Sequence, residues 1–453
     1  MTSDVLSVPS GLLIGGERIT DGSGGTHAHI YPATGRPNAH IRLAGPDDID
    51  RAVASAWEAH REWMSLTVDR RRDLLVDLAD AVRENLDDLA RLNVHDYAVP
   101  ISFAGNAILL ERFLRHFAGY IDKLHGATTP VTGSFDINLI EREPYGVVGV
   151  ITPAALRFGE LCMDVGLPAG LVNVVPAGPE GGDALVRHPG IRKIHFTGGD
   201  ATARKVLQSA AANLTPVVTE LGGNSANIIF GDADLDAAAM LSAHQGPLMQ
   251  SGQSCACASR VLVHESVHDA FVEKFVAVIQ ASTIGDPLDP QVVCGPVISQ
   301  GAADRILAVI EQAVTQRSGE LIVGGKRLGG ELAQGYYIEP TVFIGVDNAS
   351  ALAQTETFGP VVSVIKFSDE AEAVRVANDT NYGLNAFVQT TNLSRAHRVA
   401  RQLEAGSVWI NTFSDISPQG PYGGCKQSGF GRTGGLEGLH EFLQVKNIRI
   451  GMR

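Results

Sequence analysis

The chain has 453 residues, 44% of them hydrophobic and 19% charged, and a formal net charge of −14. That length exceeds one ordinary core, so two or three domains are expected, and the composition excludes a disordered chain. An acidic balance with no Lys/Arg run longer than Arg70-Arg71-Arg72 excludes a nucleic-acid partner, and no segment approaches the roughly 18 apolar residues needed to span a membrane.

The opening MTSDVLSVPSGLLIGGERI lacks the basic-then-apolar order of a secretion signal, so a cytoplasmic location is expected. Apolar residues recur at helical spacing over 47–65 and again over 68–92, which predicts two amphipathic helices. Residues 135–143 alternate like an exposed strand. Pro144-Tyr145-Gly146 then leads into VVGVI, a continuous apolar run that predicts a buried parallel strand. Strands and helices alternate from there. LVNVVPAG (171–178) reads as a strand ending in a glycine loop. IRKIHFTGG (191–199) reads as a strand and turn before the helix ATARKVLQSAAA, and PVVTELGG (216–223) as a strand with a glycine turn. This rhythm predicts a parallel, doubly wound α/β sheet. A second α/β series includes the strands 259–265, 360–367 and 407–411 and the helix 266–282.

Cysteines stand at 162, 255, 257, 294 and 425. Five is odd, and the spacing suits neither a disulfide framework nor a paired CxxC zinc site. Cys255-Ala-Cys257 has no His at ligand-like spacing, so no metal is expected. Cys255 lies in SGQSCACASR, a small, Gly-containing segment between a helix-like stretch and a strand. Loops beside helix ends can give a thiol access and a lowered pKa, although on its own the residue reads sooner as a buried structural Cys. Glu220 ends the strand PVVTELGG, and in open α/β sheets sites lie at the carboxyl ends of strands; a carboxylate there can activate water. FTGGDATAR (196–204) joins a strand to a helix whose free N–H groups can hold a pyrophosphate, or it is an ordinary turn. Glu356 and Phe358, just before a strand, offer a carboxylate for ribose hydroxyls and a ring for nicotinamide, or form a plain turn.

Taken together these segments resemble the aldehyde dehydrogenase superfamily along nearly the whole chain. GLLIGGERI and YPATGRP look like that family's opening, TELGGNSANIIF like its glutamate signature and GQSCACASR like its cysteine signature. ETFGP, NDTNYGLNAFV, AGSVWIN and PYGGCKQSGFGR match its later landmarks in order. The resemblance implies that Cys255 attacks an aldehyde carbon, that hydride passes to a nicotinamide, and that water activated by Glu220 hydrolyses the resulting thioester. It implies a cofactor, NAD with NADP left open, bound by Thr152, Pro153, Phe196, Thr197, Gly198, Gly199, Leu221, Gly222, Glu356 and Phe358. Asn411 matches an active-site wall position, and Cys257 reads as a wall residue.

The sequence departs from the family pattern in places. Asn224 stands where Lys is usual, Gly199 replaces a common Ser, and Ala203 replaces a Gly. The large departure follows Pro153. The family continues with Trp-Asn, a helix and a strand ending in Lys-Pro-Ser-Glu, whereas this chain passes directly to AALRFGELCMDVGLPAG. The gap is roughly thirty residues, about one strand-plus-helix unit. It removes an Asn that the resemblance makes an oxyanion donor, a loss worth about 10²–10³ in turnover. It also removes the Lys and Glu that would hold the adenosine ribose, and its missing strand would expose backbone groups inside the sheet. Two readings follow: a working dehydrogenase, or a catalytically impaired subunit or binding protein.

The expected architecture is a doubly wound Rossmann-like cofactor domain (1–125 and 145–223), an α/β catalytic domain (224–430), and an oligomerisation sheet (126–144 and 431–453). The expected partners are a small aldehyde and further copies of the chain, as a homodimer or homotetramer.

Overall fold

A computed structural model describes residues 10–151 and 156–452. It contains two parallel-stranded α/β units and a small antiparallel sheet.

The first unit has four strands in the order Gly429–Phe430, Val217–Glu220, Lys193–Thr197, Val148–Ile151. The last three are parallel; Gly429–Phe430 joins antiparallel, with Gly429 opposite Glu220. Helices Pro46–Ser65, Pro179–Arg187 and Asp200–Ala210 flank this sheet. Leu12, Ile49, Val53, Val186, Ile194, Phe196 and Val206 form its core. The periodicity over 47–65 thus buries Ile49, Ala52 and Val53 on one helix face.

The helix expected over 68–92 is two helices, Val68–Glu84 and Leu86–Tyr97. Asn85 separates them, out of helical geometry at φ −108°, ψ 19°, with its side-chain amide donating to the Ala81 carbonyl at 2.8 Å. An Asn side chain that bonds the preceding turn competes with the backbone ladder, a feature invisible to apolar spacing.

The stretch after Pro144 needs a second correction. VVGVI does form a parallel strand, but it is an edge strand: among the described residues nothing pairs with its outer side. Val150 is accordingly 54% exposed. Residues 171–178, expected as a strand, join no sheet. They make single bridges instead, Val174 to Leu13 and Ala177 to Ala44. A strand is held only by a neighbour, and among the described residues no strand lies alongside this segment. Leu156–Asp164 is helical and packs Leu161 and Cys162 against Leu78 and Val82.

The second unit is a seven-stranded sheet in the order Glu320–Val323, Thr341–Ile344, Val361–Phe367, Arg260–His264, Ala226–Ile229, Asn385–Gln389, Ser407–Ile410. All pairs but the first are parallel. Its central strands are buried on both faces between two apolar clusters, as continuous apolar runs require. Arg260 is buried in this unit, donating to the carbonyls of Asn224, Val376 and Ala377 and to Asn348. Burial pulls its guanidinium down to about 10. Asn224 is part of the same support, donating to the Ala353 carbonyl at 2.6 Å and accepting from Ser259 at 2.6 Å.

The third element pairs Leu443–Ile450 with Ile137–Pro144 along eight residues, and Ala127–Pro130 completes the sheet. Ile137, Val445 and Ile450 stand exposed on it.

Candidate active site

Glu220 is the last residue of its strand, at the carboxyl end of the first sheet. The chain then runs Leu221-Gly222-Gly223 into the second unit, and this crossing is where the functional side chains gather. A Cβ on Gly222 would lie 1.8 Å from Glu356 Oε2, so the glycine makes room for that carboxylate. The Gly223 N–H donates to Glu356 Oε1 at 3.0 Å. A Cβ on Gly223 would meet the Cys255 carbonyl oxygen at 2.8 Å. Three segments far apart in sequence, at 220–223, 255 and 356, therefore converge here.

Cys255 is partly buried on a loop whose approach is strained. Gln250 and Ser251 hold left-handed backbone, φ 50° and 55°, pinned by the Ser251 hydroxyl on the Gly295 carbonyl at 2.7 Å. Such strain persists only where its surroundings fix it, and it commonly marks working loops. The lowered thiol pKa expected from a loop position is not found. Burial raises Cys255 above its ordinary value, and the negative charges of Glu356 and Glu220 add to the rise; the Tyr422 hydroxyl, 3.8 Å from the sulfur, and a backbone hydrogen bond at Cys255 oppose them. Among the described residues no cation offsets burial at the sulfur, so the thiolate needs a base.

Glu220 suits that task. Burial pushes its carboxyl from 4.5 up to about 7, with Glu441 adding to the rise and Thr433 and Arg432 opposing it. Its two oxygens differ. Oε1 accepts from Thr433 at 3.3 Å, whereas Oε2 is buried without a hydrogen-bond partner among the described residues. A free carboxylate oxygen with a pKa near neutrality can take a proton from water or a thiol. Glu356 is likewise pushed up by burial to about 7, held down in part by Gly223 and Arg305.

The other expected residues divide. Gly199 caps the helix Asp200–Ala210 with no side chain and has open space around it, and the Gly198 N–H bonds the Glu220 carbonyl at 3.2 Å. Phe358 is 40% exposed with φ 47°, beside Thr357, whose carbonyl accepts from Arg305. Phe196 and Leu221 lie in the core of the first unit, and Thr197 lies half-buried at the end of its strand. Thr152 and Pro153 lie outside the described residues. Asn411 spends its amide on both backbone groups of Thr390, which pins the end of the strand Ser407–Ile410. Cys257 is buried, its thiol pushed up to about 12. Among the described residues no group of three His, Cys, Asp or Glu is placed to hold a metal, and no helix is long and apolar enough to cross a membrane.

Tyr422 is the residue that sequence reasoning passed over. It sits inside the quoted landmark PYGGCKQSGFGR, but nothing in that pattern says that its hydroxyl reaches the sulfur. Asn385 donates to the Tyr422 oxygen at 3.2 Å, which leaves the phenol proton free to point at Cys255. Gly423, at φ 153°, lies against Glu220: a Cβ there would come within 2.9 Å of Oε1.

Comparison with known proteins places this arrangement in context. The sequence pattern described as "Aldehyde dehydrogenase family" matches residues 19–153 and 154–448, breaking at the junction where the chain departs from the expected pattern. An aldehyde dehydrogenase of Enchytraeus buchholzi is 38% identical over 97% of this chain and 95% of that protein. That alignment runs over 478 positions while using 97% of the chain, so about 39 positions have no counterpart here. Aldehyde dehydrogenase family 2 member B4, mitochondrial, of Arabidopsis thaliana is 36% identical over 96% of this chain and 87% of that protein. The P. syringae indole-3-acetaldehyde dehydrogenase AldA, solved in complex with NAD+ and IAA, superposes with a TM-score of 0.94 at 34% identity, covering 99% and 97% of the two chains. The chain belongs to the aldehyde dehydrogenase family, enzymes of aldehyde oxidation.

Proposed function

We propose that this chain oxidises a small aldehyde to the carboxylic acid with NAD(P)+, through a thioester on Cys255 that is hydrolysed by water activated at Glu220. One observation carries the reading: the thiol, the Glu220 carboxylate and the Glu356 carboxylate share one crossing between the two α/β units, and the charges of both acids act on the thiol. NAD(P)+, when bound, accepts the hydride.

The chain's own groups supply the remaining steps. The sulfur bonds to the aldehyde carbon, the Tyr422 hydroxyl steadies the thiolate, and Glu220 takes up the thiol proton. Glu220 then releases that proton to solvent, and in the second half water adds to the thioester carbon and gives its proton to the freed carboxylate. The carbon–sulfur bond then breaks and the thiolate leaves. Glu356, Gly198 and Gly199 fit the nicotinamide ribose and pyrophosphate: a buried carboxylate beside glycines, and an uncapped helix start with open space. Asp200 in that first helical turn works against an anion, and its charge also reaches Glu356.

A specific observation favours a second reading. The edge position of Val148–Ile151 and the displacement of 171–178 leave the adenosine side without a sheet partner. In that reading the chain keeps a reactive cysteine but holds cofactor poorly. We assign Ile137–Pro144 and Leu443–Ile450 to contact with a second copy, on the strength of their exposed apolar residues.

Fluorescence titration with NAD and with NADP, beside reduction assayed with a generic aldehyde, tests the proposal. Saturable binding with aldehyde-dependent reduction that Cys255→Ala abolishes is the expected result. No cofactor binding, with Cys255 still alkylated by iodoacetamide, supports the second reading instead.

A further inference from the structure

The Thr433 hydroxyl stands between two titratable groups. Its oxygen is 3.3 Å from Glu220 Oε1 and 3.3 Å from His195 Nε2. The three residues come from three segments: the end of Val217–Glu220, the neighbouring strand Lys193–Thr197, and the loop that follows Gly429–Phe430. The His195 ring is stacked on Phe442 at 6.2 Å with 19° between planes.

We propose that His195 and Thr433 are positioning residues for Glu220, forming a hydrogen-bonded chain in which His195 Nε2–H donates to Thr433 and Thr433 O–H donates to Glu220 Oε1. The inference rests on the reading of Glu220 as the base. A hydroxyl has one proton, so with His195 donating into its oxygen, Thr433 is committed to donate to the carboxylate. The chain therefore favours the ionised, accepting form of Glu220 against the burial that opposes it, and occupies Oε1. Oε2, buried and without a partner, is the oxygen left for water. A methyl-bearing side chain of similar size at 433 would remove this selection.

The surrounding charges are few. Arg432 favours the ionised Glu220, and Glu441 opposes it. Glu441 also pairs with Lys193 at 3.0 Å, and these two act on His195 in opposite directions: Lys193 disfavours the imidazolium and Glu441 favours it. Burial and Lys193 hold His195 below its ordinary value, so it is neutral near pH 7 and keeps a single N–H to donate. On the other side of Glu220 lie Cys255 and Tyr422, both of which respond to its charge.

The test separates the base from its support. The protein is acetylated at Cys255 with p-nitrophenyl acetate, which releases p-nitrophenolate, and decay of the acetyl-enzyme is followed by intact mass from pH 5 to 9. This needs no cofactor. In Thr433→Val the midpoint of the decay profile is expected to move up by about one pH unit, because a hydrogen bond to the charged form is lost. Thr433→Ser is expected to restore it, and Glu220→Gln to give slow, pH-independent decay. An unchanged midpoint in Thr433→Val overturns the proposal. Decay in Glu220→Gln as fast as in the parent protein, or no acetylation of Cys255, overturns the reading of the site itself. A second readout needs no turnover. The His195 imidazole resonance, identified by its loss in His195→Gln, is titrated in the folded protein. Its midpoint is expected to fall in Glu220→Gln and in Thr433→Val; a midpoint unmoved in both overturns the relay.

Discussion

Replacing Glu220 by Gln tests the buried acid through stability alone. Burial raises this carboxyl from 4.5 to about 7, so the folded state binds its proton more tightly than the unfolded chain does. Stability from this residue is therefore lost as pH rises from about 4.5 to about 7, the opposite of a salt-bridged acid. Two and a half units correspond to about 3 kcal/mol at 1.36 kcal/mol per unit. Gln keeps the shape and an oxygen acceptor for Thr433 but carries no charge. Glu220→Gln should therefore be more stable than the parent by about 3 kcal/mol at pH 8 and by about 1 kcal/mol at pH 5. Urea unfolding at the two pH values measures this, provided the slopes agree. The same stability difference at pH 5 and pH 8 would refute the claim that Glu220 is an acid strained by burial, and with it the reason for assigning it as the base.

Other outcomes follow from neighbouring residues. Alkylation of Cys255 by iodoacetamide should keep accelerating from pH 7 to 9, because burial and two carboxylates raise the thiol; a rate already level at pH 7 would show a preformed thiolate. Tyr422→Phe should slow that alkylation at pH 8 roughly threefold, since a long hydrogen bond to sulfur is lost. Gly222→Ala should destabilise the protein by about 1–3 kcal/mol, because the new methyl would overlap the Glu356 carboxylate; circular-dichroism melting detects it, and an unchanged melting temperature counts against the packing. Val150→Lys should change stability by less than about 0.5 kcal/mol, because the residue is 54% exposed on an edge; a loss of several kcal/mol would show that another segment covers that edge.

The chain's order of strands and helices, its family and its candidate nucleophile and base were legible in the sequence. Apolar runs and helical spacing carry the strands and helices, whereas the family, the nucleophile and the base come from the ordered resemblance of many segments, since each such residue alone reads sooner as structural. The break at Asn85 was hidden because apolar spacing does not register a side chain that bonds the backbone. The missing unit after Pro153 was also legible, and so was the exposure of backbone beside it; where the flanking segments would settle was not. The runs 147–151 and 171–178 have equal claims as strands, yet the first lies at a sheet edge and the second makes only single bridges to Leu13 and Ala44. The rise of the Cys255 thiol, the contact of Tyr422 with it and the chain from His195 through Thr433 to Glu220 join residues up to 238 positions apart. Such effects depend on which groups are desolvated together, and that is set by packing across two sheets and not by any neighbour along the chain.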